Sequence, residues 1–152
     1  MVLAAFRGDF AYDIVLLIHI VSFLVAFAPA VINPLLEAHF AKHADEATMA
    51  TWARFSSMYT SRIALGSLGL LLITGVIMIL QFDGWEFSQT WISLAFLVWL
   101  AIGGVVSAMI LKGEKQIAAG DMTGRALVAK GGPIATVLLL IMLYLMIFKP
   151  GL

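Results

Sequence analysis

The chain has 152 residues, of which 62% are hydrophobic and 12% charged, with a mean hydropathy of +1.05. A soluble domain averages about 45–50% apolar residues, so this composition excludes one and points to an integral membrane protein. The absence of cysteine removes disulfides, thiolate metal sites and cysteine nucleophiles together, and a bundle this small is expected to leave little room for an enclosed catalytic cavity.

The N-terminal segment Met1 to Ala11 carries Arg7 and Asp9, with Asp13 just beyond it. Ala28-Pro29-Ala30 has the small residues of a signal-peptide cleavage site, but Asp9 and Asp13 spoil a basic leading region, so the segment is read as a membrane helix. From Ile14 to Leu36 there is no formal charge, enough to cross a hydrocarbon core of ~30 Å at ~1.5 Å per residue. Within the first span, about 12–37, Tyr12, His19, Ser22, Ala26, Ala30, Asn33 and Glu37 fall on one side of a helix turning ~100° per residue. In lipid such a polar stripe, with Ser22, Asn33 and Glu37 as its hydrogen-bonding members, should face the inside of a bundle. Pro29 and Pro34 each remove a backbone donor, freeing carbonyls that Ser22, Asn33 or water is expected to satisfy.

Ala38 to Ser61 is polar but patterned: Met49, Trp52, Phe55 and Met58 or Tyr59 recur at helical steps, with Asp45 as N-cap. This predicts a short amphipathic helix in the interface, with Trp52 and Tyr59 at headgroup level and Arg54 and Arg62 reaching lipid phosphates. The second span, about 63–82, puts Ala64, Ser67, Thr74 and Gly75 near one face, and Asp83-Gly84 ends it. The third, about 91–111, carries Gly103 with Ser107 and Gly104 with Ala108 as helix-packing pairs. The connection Lys112 to Lys130 has Gly113, Gly120 and Gly124 as breakers. Its glycines do not form a phosphate loop, and no nucleic-acid partner is expected. Gly131-Gly132-Pro133 then opens the fourth span, about 131–149.

These segments predict an all-α, four-helix transmembrane bundle, a single integral membrane domain with a short interfacial helix between its first and second spans. Seven of the nine basic residues (Lys42, Arg54, Arg62, Lys112, Lys115, Arg125 and Lys130) fall in the first and third connections. Those connections should be cytoplasmic and both termini outside.

Few residues carry chemistry. Four-helix membrane cytochromes hold b-type haem between facing histidines, but His19 and the pair His39 and His43 lie about 30 Å apart along a helix and cannot share one haem within a chain. Met78 and Met146 lie at the depth of His19, so a His/Met pair, or His19 from two protomers, remains. The bland alternative is an interhelix hydrogen bond. His39 and His43, four residues apart with Glu37 or Asp45 nearby, supply two ligands of an incomplete metal site, or only a wet surface. The eight methionines form no tight cluster and read as packing rather than copper ligands. No arrangement suggests hydrolysis, and no paired carboxylates sit within a span.

Leu17-Ile18-His19-Ile20, Leu72-Ile73-Thr74-Gly75 and Trp91 to Trp99 together resemble a bacterial family of small four-span membrane proteins, distantly similar to the membrane domain of copper-resistance D proteins. The resemblance implies a bundle in the bacterial inner membrane with His19 near a ligand site, and supplies no activity. The expected role is non-catalytic, structural or accessory, as a homo-oligomer or beside a larger membrane complex. The rivals are a haem-b redox module using His19 and a small transporter or ion pathway lined by Ser22, Asn33 and the Pro29 bend.

Overall fold

A computed structural model of the chain describes residues 10–82 and 84–151, without the side chains of Val31, Pro34, Glu37, Ala38, Ala41 and Lys42. Of the residues singled out above, Arg7, Asp9, Asp83 and the side chains of Pro34, Glu37 and Lys42 lie outside this description. The described residues are mostly helical, without a strand among them. Helix α1 (Phe10–His43) runs 34 residues, about 50 Å at ~1.5 Å per residue. Helix α2 (Glu46–Tyr59) starts at Asp45, whose carboxylate accepts from the Thr48 N–H at 2.8 Å, as its position before the amphipathic pattern predicts.

From there the boundaries depart from expectation. Between residues 46 and 81 no proline interrupts the chain, and α2 passes through a π-helical segment (Thr60–Ala64) straight into α3 (Leu65–Gln81). The interfacial helix is thus the start of one continuous rod, Glu46–Gln81, and it buries Ala53 and Ser56 against its neighbours. Helix α4 (Thr90–Val105) likewise continues through a second π-helical segment (Val106–Leu111) into α5 (Lys112–Ala118). Helix α6 (Gly124–Phe148) begins seven residues before Gly131, so Pro133 lies inside it rather than in its first turn. The third connection shrinks to a turn around Gly120, which takes the left-handed conformation at φ +88°. In that turn the Thr123 hydroxyl (2.6 Å) and N–H (3.0 Å) donate to Asp121 and hold its carboxyl below the usual range.

Gly113 and Gly124 are therefore not breakers but a crossing point. A Cβ on Gly113 would lie 2.7 Å from the Gly124 carbonyl oxygen, and one on Gly124 would run into the Gly113 carbonyl, so only hydrogen lets α5 and α6 approach this closely. Gly131 continues the contact against Met109 and Ile110, each 3.0 Å from where its Cβ would stand. Gly103 makes ordinary contact with Leu68 at 3.8 Å, whereas a side chain at Gly104 would meet nothing within 4 Å, so the Gly104 and Ala108 pair is not a close crossing.

Four helices are long and apolar enough to cross a membrane: Phe10–Ala30, Glu46–Gln81, Thr90–Ala118 and Gly124–Phe148. They pair as α1 with α3 and α4 with α6, while α5 packs on α2 and α6. Between the two pairs lies a core of Phe27, Leu68, Leu71, Ala95, Val98, Ile102, Leu139, Met142 and Leu145, with Ile102 only 1% exposed. The outward faces carry Leu17, Leu24, Ile73, Leu97, Leu100 and Leu140, which suits acyl chains as solvent. On α1 the polar stripe turns inward: Tyr12 and Ser22 are buried and His19, Ala26, Ala30 and Asn33 half-buried, opposite exposed Ile14, Ile18 and Val21.

Candidate functional site

Two cavities flank the core, both partly open to the outside. The first opens at the end where α1 begins and α6 finishes, and holds about 480 Å³, within the ~300–1,000 Å³ range of small-molecule sites. The second, about 740 Å³, lies at the opposite end, among α2, α5, the two π-helical segments and α6. No residue lines both, because Phe27, Leu68 and Ile102 face the second cavity while Leu71, Ala95 and Met142 face the first. The core is a plug between them.

His19 lines the first cavity, and its position follows from α3. A Cβ on Gly75 would stand 3.4 Å from His19 Cε1, so the glycine gives the ring its berth. One residue earlier, Thr74 Oγ1 lies 2.9 Å from His19 Nδ1, and also 2.8 Å from the Leu70 carbonyl and 3.1 Å from the Leu71 carbonyl. Carbonyls only accept, so the single hydroxyl proton goes to them and Thr74 accepts from His19 Nδ1–H. We assign the Nδ1–H tautomer on this ground. Its consequence is chemical: Nε2 keeps its lone pair, as in a histidine oriented for metal ligation by a hydrogen bond at the other nitrogen. Thr74 and Gly75, expected as part of a helix-packing face, form the seat of His19.

Around His19 the same cavity presents Met78 from α3, Met142 and Met146 from α6, and flat walls from Phe23, Phe96 and Trp99. Trp99 is fixed by donating its indole N–H to the Leu68 carbonyl at 3.0 Å. Met78 sits one turn from Thr74, on the helix that already seats His19. Met146 comes from α6, on the other helix pair. At the mouth stand Tyr12, Trp85, Trp91 and Lys149. The Lys149 ammonium lies 4.3 Å from the centroid of Trp85 and 5.6 Å from that of Trp91, and the two indoles meet edge to face at 5.3 Å. Partial burial pushes the Lys149 amine below the ordinary lysine range.

The second cavity contains a group from the stretch expected to be a connection, Lys112 to Lys130. Glu114 lies in α5, 3% exposed, and its Oε1 accepts from the buried Ser56 hydroxyl of α2. Asn33, Thr60, Thr136 and Arg125 line the same space. Ile110, Glu114 and Ile117, at steps of four and three, are the signal that was present, since that spacing puts the carboxylate on an apolar helix face.

The carbonyl freed by Pro29 finds a partner other than those expected. Pro29 leaves the Val25 carbonyl without its helical donor, and the Tyr59 hydroxyl donates to it at 2.7 Å. Neither Ser22 nor Asn33 fills this role, and Tyr59 serves an interhelix bond instead of a headgroup. Arg54 donates from Nε to the Ala118 carbonyl at 3.2 Å, capping α5. At the end of α1, His39 and His43 stack with ring centroids 4.8 Å apart and planes at 23°, and His43 Nδ1 lies 3.0 Å from the His39 carbonyl. A ligated metal lies in the plane of each imidazole, and stacked rings do not aim their in-plane lone pairs at one point. Among the described residues no three His, Asp or Glu gather as a metal site.

No protein-family model, curated protein or solved structure matches the chain.

Proposed function

We propose that this chain is a small redox module of the bacterial inner membrane that holds b-type haem through His19, serving as an accessory component of a larger membrane complex or of a homo-oligomer. The observation that carries this reading is the 2.9 Å hydrogen bond between His19 Nδ1 and Thr74 Oγ1 beside a cavity with thioethers and aromatic walls; with the tautomer assigned above, it leaves Nε2 free to ligate. Bound haem supplies one-electron chemistry. The residues that would hold the group are His19 and, from the other helix pair, Met146, with Phe23, Phe96 and Trp99 as apolar walls that would keep water from it. An electron carrier needs neither hydrolytic nor acid–base machinery, in keeping with an accessory role. The charge bias favours both termini, and hence this cavity, on the outer side. A continuous transport route is less well supported, because the core from Phe27 to Leu145 separates the two cavities.

The test is the absorption spectrum of the full-length protein purified from cells supplied with haem. We expect a Soret band that His19→Ala abolishes and that Met146→Leu shifts. A protein that stays colourless, or a band indifferent to His19→Ala, would refute the assignment.

A further inference from the structure

Among the described residues, Lys149 is the sole non-glycine with a positive φ, at 43°. It follows α6 at a position that usually holds glycine, because a Cβ in the left-handed conformation crowds the following carbonyl. Its own N–H closes the helix by donating to the Leu145 carbonyl at 3.0 Å, a bond that glycine would make with less strain. A cation at this end suits the helix dipole, yet the left-handed backbone costs a non-glycine residue more than that attraction contributes. Backbone strain of this kind persists where the side chain is held for use.

That side chain is held tightly. Its ammonium rests between Trp85 and Trp91, both buried, with Trp91 further tied by donating its indole N–H to Gln89 at 3.2 Å. Beyond Lys149, Gly151 packs on Thr90, with 3.3 Å between the place of its Cβ and that side chain, so the turn is seated at the start of α4. The cation is thus positioned by three elements, α6 and the two ends of the Trp85–Trp91 stretch, at the rim of the cavity that contains His19. An apolar ligand filling that cavity brings only its polar end to the rim. The group that a partly desolvated ammonium would recognise there is a carboxylate.

We propose that Lys149 is the anchor for a carboxylate of the ligand of this cavity, and that the site selects planar apolar molecules bearing an acidic edge over their neutral esters. The proposal rests on the haem reading only for the identity of the ring, since the carboxylate contact does not require a metal or His19. A metal-free dicarboxylate porphyrin, protoporphyrin IX, therefore tests it independently of ligation.

The experiment titrates detergent-solubilised full-length protein with protoporphyrin IX and with its dimethyl ester, reading the quenching of tryptophan fluorescence. The diacid should bind more tightly than the ester. Lys149→Gly should weaken the diacid roughly tenfold or more while leaving the ester unchanged, since a bond to a charged group contributes about 1.5–3 kcal/mol and ~1.4 kcal/mol is tenfold. Lys149→Arg should retain most of the preference, and binding of the ester by Lys149→Gly at the parent affinity shows that the loss is not misfolding. Equal binding of diacid and ester, an unaltered preference in Lys149→Gly, or no binding of either porphyrin would overturn the proposal. Lysine-dependent binding of the diacid in a protein without a Soret band would uphold it and reject haem ligation alone.

Discussion

A carbonyl buried in lipid without a donor costs several kcal/mol, and the chain answers that cost with single side chains. Pro29 removes the donor to Val25, and Tyr59 replaces it from the second rod. Tyr59→Phe should therefore destabilise the protein by about 1–3 kcal/mol, measured by thermal unfolding in detergent. Pro29→Ala restores an N–H to α1, and in that background Tyr59→Phe should be nearly neutral. A full penalty in both backgrounds would mean that the hydroxyl serves something else. Thr74 works on the same scale: without its oxygen the His19 tautomer is unfixed, so Thr74→Val should lower haem affinity about 10–100-fold, and Thr74→Ser should restore it. If Thr74→Val binds haem as the parent does, Thr74 does not position the ring. His19 and Pro29 were legible in the sequence because each is anomalous in an apolar run. Their partners were not, since Thr74 lies 55 residues and Tyr59 34 residues from the atoms they serve, and periodicity carries no information across such distances.

At the scale of elements, hydropathy located all four spans, and the inward stripe of α1 followed from its period alone. Glycine was the residue most easily misread, because the same lack of a Cβ that permits a turn also permits a close crossing. Gly120 is the turn, at φ +88°. Gly113 and Gly124 are the crossing, and which was which depended on the path of α6. Substitution separates them. Gly113→Ala forces a methyl against the Gly124 carbonyl and Val128 Cγ2, 2.7 and 2.8 Å away, and should cost about 1–3 kcal/mol by overpacking. Gly104→Ala enters open space inside a helix and should stabilise by about 0.5–1 kcal/mol. Both follow from unfolding followed by tryptophan fluorescence. A harmless Gly113→Ala would mean that α5 and α6 do not touch as described. The crossing also explains why Glu114 escaped notice: extending α4 through its π-helical segment into α5 carries a residue read as part of a loop into the interior.

For the molecule as a whole, the charge distribution and the helix order make one joint statement that can be checked without any ligand. Seven of nine basic residues sit toward the end of the bundle that holds the α1–α2 and α5–α6 connections, and basic connections stay in the cytoplasm. Four crossings return the chain to its starting side, so the turn between α3 and α4 must share a side with Lys149 and the His19 cavity. The chain contains no cysteine, so single introduced thiols report without background. Ser88 is exposed in the α3–α4 turn and Ala119 exposed beside Gly120. In intact cells a membrane-impermeant maleimide should label Ser88→Cys and spare Ala119→Cys, and permeabilised cells should label both. The reverse pattern would turn the molecule over, placing Lys149 on the cytoplasmic side, while labelling of both in intact cells would break the count of crossings. The orientation bears on the proposed function because it would decide which face exchanges ligand: were the termini outside, a carboxylate-bearing ring would reach Lys149 from the outer surface, and Glu114 would lie in the cytoplasmic half, behind the Ile102 plug.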